Sequence, residues 1–258
     1  MKAIELHDVR FSYGKNGPMV LDGIEMSCEK GTVNTLMGLN GCGKSTLIKV
    51  MTGLERPSGG TISYFGRDLG GLSFKERSKL FSYVQQNNSP LSDYTVKEYV
   101  LFGTANRLDM FDMPEKEEMD IAERQLDRFG IRHMENRRLG ELSGGERQIV
   151  SICSSMAQDT EVVILDEPCS ALDIVNQEKV LSTLKSIAED DGKTIIMSTH
   201  NPNHALYLGS DVFLMKNGRI IYSGKAENVI VPEKLRPIYG SGICYSNELP
   251  YKEVSFRN

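Results

Sequence analysis

The sequence predicts an α/β fold: a parallel sheet covered by helices on both faces, preceded by antiparallel strands and interrupted by a helical insertion. Three observations carry this. Short, largely apolar runs of strand length recur at Val33–Met37, Val162–Leu165 and Thr194–Met197, the pattern of strands buried on both faces. Helix-period segments follow them, at Leu47–Met51 and Gln177–Ala188, and strand–helix alternation builds parallel sheets. The first 35 residues instead alternate, with apolar Ile4, Leu6 and Val9 set between polar neighbours and a turn at Gly17-Pro18, which reads as antiparallel strands.

Taken in order, Val33–Met37 is a strand that ends at Gly38, and the helix after it stops at Gly53. Phe81–Val84 is a further strand. Tyr94–Arg107 and Glu115–Phe129 have helical spacing, the second with Met119, Ile121, Ala122, Leu126 and Phe129 against many charges. Its acidic run, residues 115–120, is a solvated helix face. Val212–Met215 and Arg219–Ser223 flank Lys216-Asn217-Gly218, and Asn-Gly is a strong hairpin signal. The tail from Pro232 is polar and shows no clear period. The chain therefore divides into an α/β core with a β subdomain over 1–86 and 159–224, an inserted helical segment over 87–158, and a C-terminal extension over 225–258.

Composition narrows the function. Thirty basic and 35 acidic residues give the 258-residue chain a net charge of −5, which opposes a nucleic-acid binder held by a broad basic face. No apolar run approaches the ~20 residues of a membrane span. The start, Met1-Lys2-Ala3-Ile4-Glu5, has no basic region leading into an apolar one, so no secretory signal is expected. Five scattered cysteines with no CxxC pair point to free thiols rather than a disulfide framework or zinc knuckle.

Two motifs carry chemistry. Gly38-Leu39-Asn40-Gly41-Cys42-Gly43-Lys44-Ser45-Thr46 fits GxxxxGK[ST] between a predicted strand and a predicted helix. Glycines let backbone N–H groups wrap phosphates, Lys44 neutralises β/γ-phosphate oxygens, and the Ser45 hydroxyl can ligate Mg²⁺. Val162-Val163-Ile164-Leu165-Asp166-Glu167 is a buried strand ending in two carboxylates. Asp166 is placed for the Mg²⁺ shell, and Glu167 to orient or deprotonate an attacking water. Cys42, at a helix N-terminus that lowers thiol pKa, is expected to be a reactive thiol protected by ATP; an inert filler is the other reading.

Leu142-Ser143-Gly144-Gly145-Glu146-Arg147-Gln148 resembles the signature of the ATP-binding cassette (ABC) ATPases, and with it the core resembles the P-loop NTPase (RecA-like) fold of that family. The resemblance runs from Leu6 to about Gly224. It implies ATP and Mg²⁺ as ligands, with Tyr13 stacking on adenine, residues 40–46 binding phosphate, and Ser143, Gly144 and Gly145 meeting the γ-phosphate held by a second subunit. Gln86 resembles the Q-loop glutamine that meets Mg²⁺ and the water, Asp173 the D-loop aspartate at the dimer interface, and His200 the switch histidine. The catalytic set it implies is Lys44, Gln86, Glu167 and His200; the metal set is Ser45, Gln86 and Asp166. Leu39 and Gln85 stand where proline is frequent, Cys169 where threonine is usual, and Ser154 where arginine is frequent. Asp93–Gly103, Ala157-Gln158-Asp159, and Ile238-Tyr239-Gly240 with a strand-like tail to Phe256 are similar to importers of ferric siderophores, haem and cobalamin. The implied partners are a second cassette, most simply a homodimer, membrane permease subunits and, indirectly, an external solute-binding protein, at the cytoplasmic face of the membrane, with no nucleic acid. A soluble ABC-type ATPase of assembly or regulation, or an importer ATPase for another small solute, carries the same motifs.

Overall fold

The computed structural model describes residues 1–14, 17–86, 92–108, 112–240, 243–246 and 253–256, the last two segments by backbone alone. In chain order the strands and helices are β1 (Lys2–Ser12), β2 (Met19–Glu29), β3 (Val33–Met37), α1 (Lys44–Met51), β4 (Gly59–Tyr64), β5 (Arg67–Asp68), α2 (Phe74–Leu80) and β6 (Phe81–Val84). Then come α3 (Val96–Phe102), α4 (Lys116–Arg128), α5 (Gly144–Ala157), β7 (Val162–Leu165), α6 (Ile174–Asp191), β8 (Thr194–Thr199) and α7 (Pro202–Leu208). The chain continues with β9 (Asp211–Lys216), β10 (Arg219–Lys225), α8 (Ala226–Val229), α9 (Pro232–Tyr239), β11 (Ile243–Ser246) and β12 (Glu253–Phe256).

Two larger sheets result. One is antiparallel, in the order β2-β1-β4-β5. The other runs β10-β9-β3-β8-β7-β6 and is parallel throughout except for the β9–β10 hairpin. Every residue of β3, β7 and β8 is buried, as their apolar runs require. One core lies between the helices α3–α6 and one face of the parallel sheet. A second joins the antiparallel sheet and α1 to the other face, and a third gathers α7, α8 and α9 around Met37, Val212 and Leu214. Between Gln86 and Val162 the described residues form three α-helices and no strand.

Register positions the site. Met37 pairs with Thr199, Leu165 with Met197, and Val84 with Leu165. The chain therefore leaves β3, β6, β7 and β8 along one edge of the sheet, the carboxyl edge where α/β folds bind ligands. The tail differs from expectation. Pro232 starts α9 at its first helical position, where proline's missing N–H is harmless, and Leu235 and Ile238 are buried. Two prolines in eight residues hide that helical period from the sequence.

Candidate functional site

The loop between β3 and α1 depends on glycines where they stand. Gly41 and Gly43 have φ of +79° and +110°, a region that favours residues without Cβ. A Cβ on Gly38 would lie 2.4 Å from the Met215 carbonyl oxygen and 2.6 Å from Cys42 Sγ. A Cβ on Gly41 would meet nothing within 4 Å, because that face opens on a cavity. The cavity, about 380 Å³, is lined by Val20, Asn40, Gly41, Gly43, Lys44, Ser45, Thr46, Gln86 and Glu167. Lys44 is only 5% exposed. Its Nζ donates to the carbonyls of Gly38 (2.9 Å) and Leu39 (3.2 Å) and lies 3.8 Å from Glu167 Oε1. A buried ammonium beside glycine N–H groups at a helix start is a set of donors for phosphate oxygens.

Glu167 is the point on which the other groups converge. Gln86 Nε2 donates to its Oε2 at 3.3 Å, and His200 Nδ1 lies 3.4 Å from the same oxygen. Gln86, rather than Gln85, is the glutamine that reaches the cavity. Glu167 itself has φ +48°, a conformation that a non-glycine residue holds only when its surroundings impose it. Ser198 imposes it: its Oγ accepts the Glu167 N–H at 2.9 Å and donates to Asp166 Oδ1 at 2.6 Å. Ser170 Oγ adds a donation to the Glu167 carbonyl at 3.0 Å. Sequence reading passed over Ser198; its only signal is its place at the end of a buried strand beside two carboxylates.

One expectation changes. Cys42 is 8% exposed, its side chain does not line the cavity, and its pKa is raised, because burial outweighs the Lys44 charge and the loop's N–H groups. The expected activation at the helix end therefore fails. Asp173, expected at the interface with a second subunit, caps α6, accepting the Asn176 N–H at 2.8 Å. Tyr13, 47% exposed, stands at the rim with its hydroxyl 3.3 Å from Thr46 Oγ1 and its ring edge-on to Phe11.

The segment Leu142–Gln148 starts α5. Ser143 caps it, accepting from the Glu146 N–H at 3.2 Å, while the Glu146 carboxylate accepts the Ser143 N–H at 2.7 Å. Those bonds, with Arg137 at 3.0 Å, hold the Glu146 carboxyl below its usual pKa. A Cβ on Gly144 would meet nothing within 4 Å, and one on Gly145 would approach the Ala171 carbonyl at 3.2 Å. None of Ser143, Gly144 and Gly145 lines the Lys44 cavity of the same chain. Ser154, farther along α5, donates to the Tyr99 carbonyl at 3.0 Å and ties α5 to α3.

The described residues contain no helix long and apolar enough to cross a membrane. A family model described as ABC transporter matches residues 21–170. The iron(3+)-hydroxamate import ATP-binding protein of Bacillus subtilis is 31% identical over 239 residues, covering 93% of this chain and 88% of that protein. A chain from a structure described as a metal-chelate type ABC transporter, in an inward-facing conformation, superposes with a TM-score of 0.86 at 26% identity, over 100% of this chain and 98% of that one. A dimeric ATP-binding cassette bound to ADP and Pi in a post-hydrolysis state gives a TM-score of 0.78 at 25% identity, over 86% and 98%. The chain belongs to the ABC transporter family and is an ATP-hydrolysing, ATP-binding member of it.

Proposed function

We propose that this chain is the motor subunit of an importer for iron chelates of the siderophore type, working in pairs beneath a membrane permease. The observation that carries the paired reading is the division of the site. The phosphate loop, Gln86 and Glu167 share one cavity, whereas the start of α5 stands outside it. A second copy closing face to face would bring its Ser143, Gly144 and Gly145 amides to the γ-phosphate and complete the site. Asp173, in the loop before α6, belongs to that closing surface.

In this reading ATP lies with adenine on the exposed Tyr13 ring and its phosphates along residues 40–46. Lys44 exchanges its two carbonyl partners for β/γ-phosphate oxygens. Ser45 and Asp166, with Gln86, would hold Mg²⁺, which supplies charge neutralisation at the phosphates. Glu167 accepts the proton of the attacking water, held on one side by Gln86 and on the other by His200. The α/β core over 1–86 and 159–224 carries this chemistry. The helical segment over 87–158 carries the partner's anion site, and in the extension over 225–258 the helices α8 and α9 pack against the core.

A permease surface is supported beside Gln86. A groove of about 540 Å³ between β6, α3 and α5 is lined by Tyr83, Tyr99, Phe102, Asn106, Ser154 and Gln158, among others. In it Tyr83 Oη and Asn106 Oδ1 are buried without a hydrogen-bond partner among the described residues. ATP drives the cycle by binding the closed pair more tightly than the open one. The iron-chelate assignment draws on the import function named for the Bacillus subtilis relative. It is tested by uptake of iron-labelled siderophores in cells lacking this chain. Uptake should be lost, restored by the wild-type chain and not by Lys44→Ala; unchanged uptake would remove the assignment.

A further inference from the structure

Glu167 and His200 also line a second, smaller cavity of about 90 Å³, and His204 and Gln177 form part of its wall. His204, on the first turn of α7, is 8% exposed. Its Nδ1 lies 3.1 Å from Thr199 Oγ1, and its Nε2 lies 3.2 Å from Gln177 Oε1. For a neutral imidazole the donors in this chain follow from Gln177. Gln177 Nε2 faces two carbonyls, those of Leu172 at 2.9 Å and Cys169 at 3.3 Å, and carbonyls only accept. The amide oxygen therefore faces His204, so His204 Nε2 carries the hydrogen and Nδ1 is the acceptor. Thr199 then donates its hydroxyl hydrogen to Nδ1, while the same oxygen accepts the Asn201 N–H at 3.1 Å.

This chain spans the site. Thr199 and Asn201 flank His200, and their bond closes the turn that presents its ring to Glu167. The carbonyls of Cys169 and Leu172 belong to the segment that leaves Glu167 for α6. We propose that His204 is a positioning residue that locks these two segments together through Thr199 and Gln177 and so holds the spacing between His200 and Glu167. The proposal rests on the reading of Glu167 and His200 given above. A neutral imidazole is required, and burial together with the nearby His200 lowers the His204 pKa to about 4.

The test uses the full-length chain carrying His204→Leu, Gln177→Leu, both together, Thr199→Val, and Glu167→Gln as a reference. A misplacement of about 1 Å at a reacting group costs roughly tenfold to a hundredfold in rate. His204→Leu is therefore expected to lose at least about tenfold in kcat, with KM for ATP within about twofold, since the phosphate loop is untouched. The double variant should lose no more than the worse single one, because each breaks the same chain. Thr199→Val, which keeps shape and removes only the hydroxyl, should give the same split and decides the matter if His204→Leu does not fold. Folded variants with wild-type kcat, or losses that multiply in the double variant, would overturn the proposal. A Glu167→Gln chain that still turns over would instead remove the underlying reading.

Discussion

Ser198 offers a sharp quantitative test of the site. Its hydroxyl is buried and makes two bonds, to Asp166 Oδ1 at 2.6 Å and from the Glu167 N–H at 2.9 Å. Ser198→Ala deletes both and leaves the Asp166 side chain, on a residue 3% exposed, without that donor. A hydrogen bond to a charged group is worth about 1.5–3 kcal/mol and a neutral one about 1 kcal/mol, so the loss should be about 3 kcal/mol. For a chain of this size each kcal/mol shifts the unfolding midpoint by roughly 2–4 °C, which puts the drop at about 6–12 °C. The positive φ of Glu167 also loses its anchor, so turnover should fall at least about tenfold. Thermal unfolding and ATP turnover read the two effects. A midpoint shift below about 2 °C with unchanged turnover would refute the account of how the carboxylates are held.

Other expectations are direct. Because the Cys42 thiol is buried and its pKa raised, alkylation at neutral pH, followed peptide by peptide by mass spectrometry, should be slower at Cys42 than for glutathione; labelling as fast as glutathione would contradict the burial argument. His204 titrates near 4 in the fold and near about 6.5 when unfolded. The unfolded chain then binds the extra proton between these values, and stability should rise with pH across that window. Urea denaturation should show the wild-type slope flattened there in His204→Leu, and an unchanged slope would mean that another group carries it.

Much of the fold was legible because burial leaves a period. The short, largely apolar runs of Val162–Leu165 and Thr194–Met197 have strand length and fit strands buried inside a sheet, and the glycine loop announces itself by spacing. Legibility failed where the determinant is tertiary. The Ser198–Asp166 bond depends on the pairing of Leu165 with Met197, which no local pattern encodes. The helix-end effect on Cys42 is local and readable, but the burial that reverses it comes from the fold around Gly38 and Met215. His204 reads as an ordinary histidine until β8 and α6 come together. The α9 helix is masked by its prolines.

The central claim is that one chain holds half of a working ATP site. Glu167→Gln should keep ATP bound and stop turnover. With saturating ATP and Mg²⁺ the variant should elute in light-scattering chromatography as a dimer of 28.8 kDa chains, and return to monomer when Lys44→Ala is added. A Glu167→Gln chain that stays monomeric under these conditions while hydrolysing ATP at the wild-type rate would contradict the account.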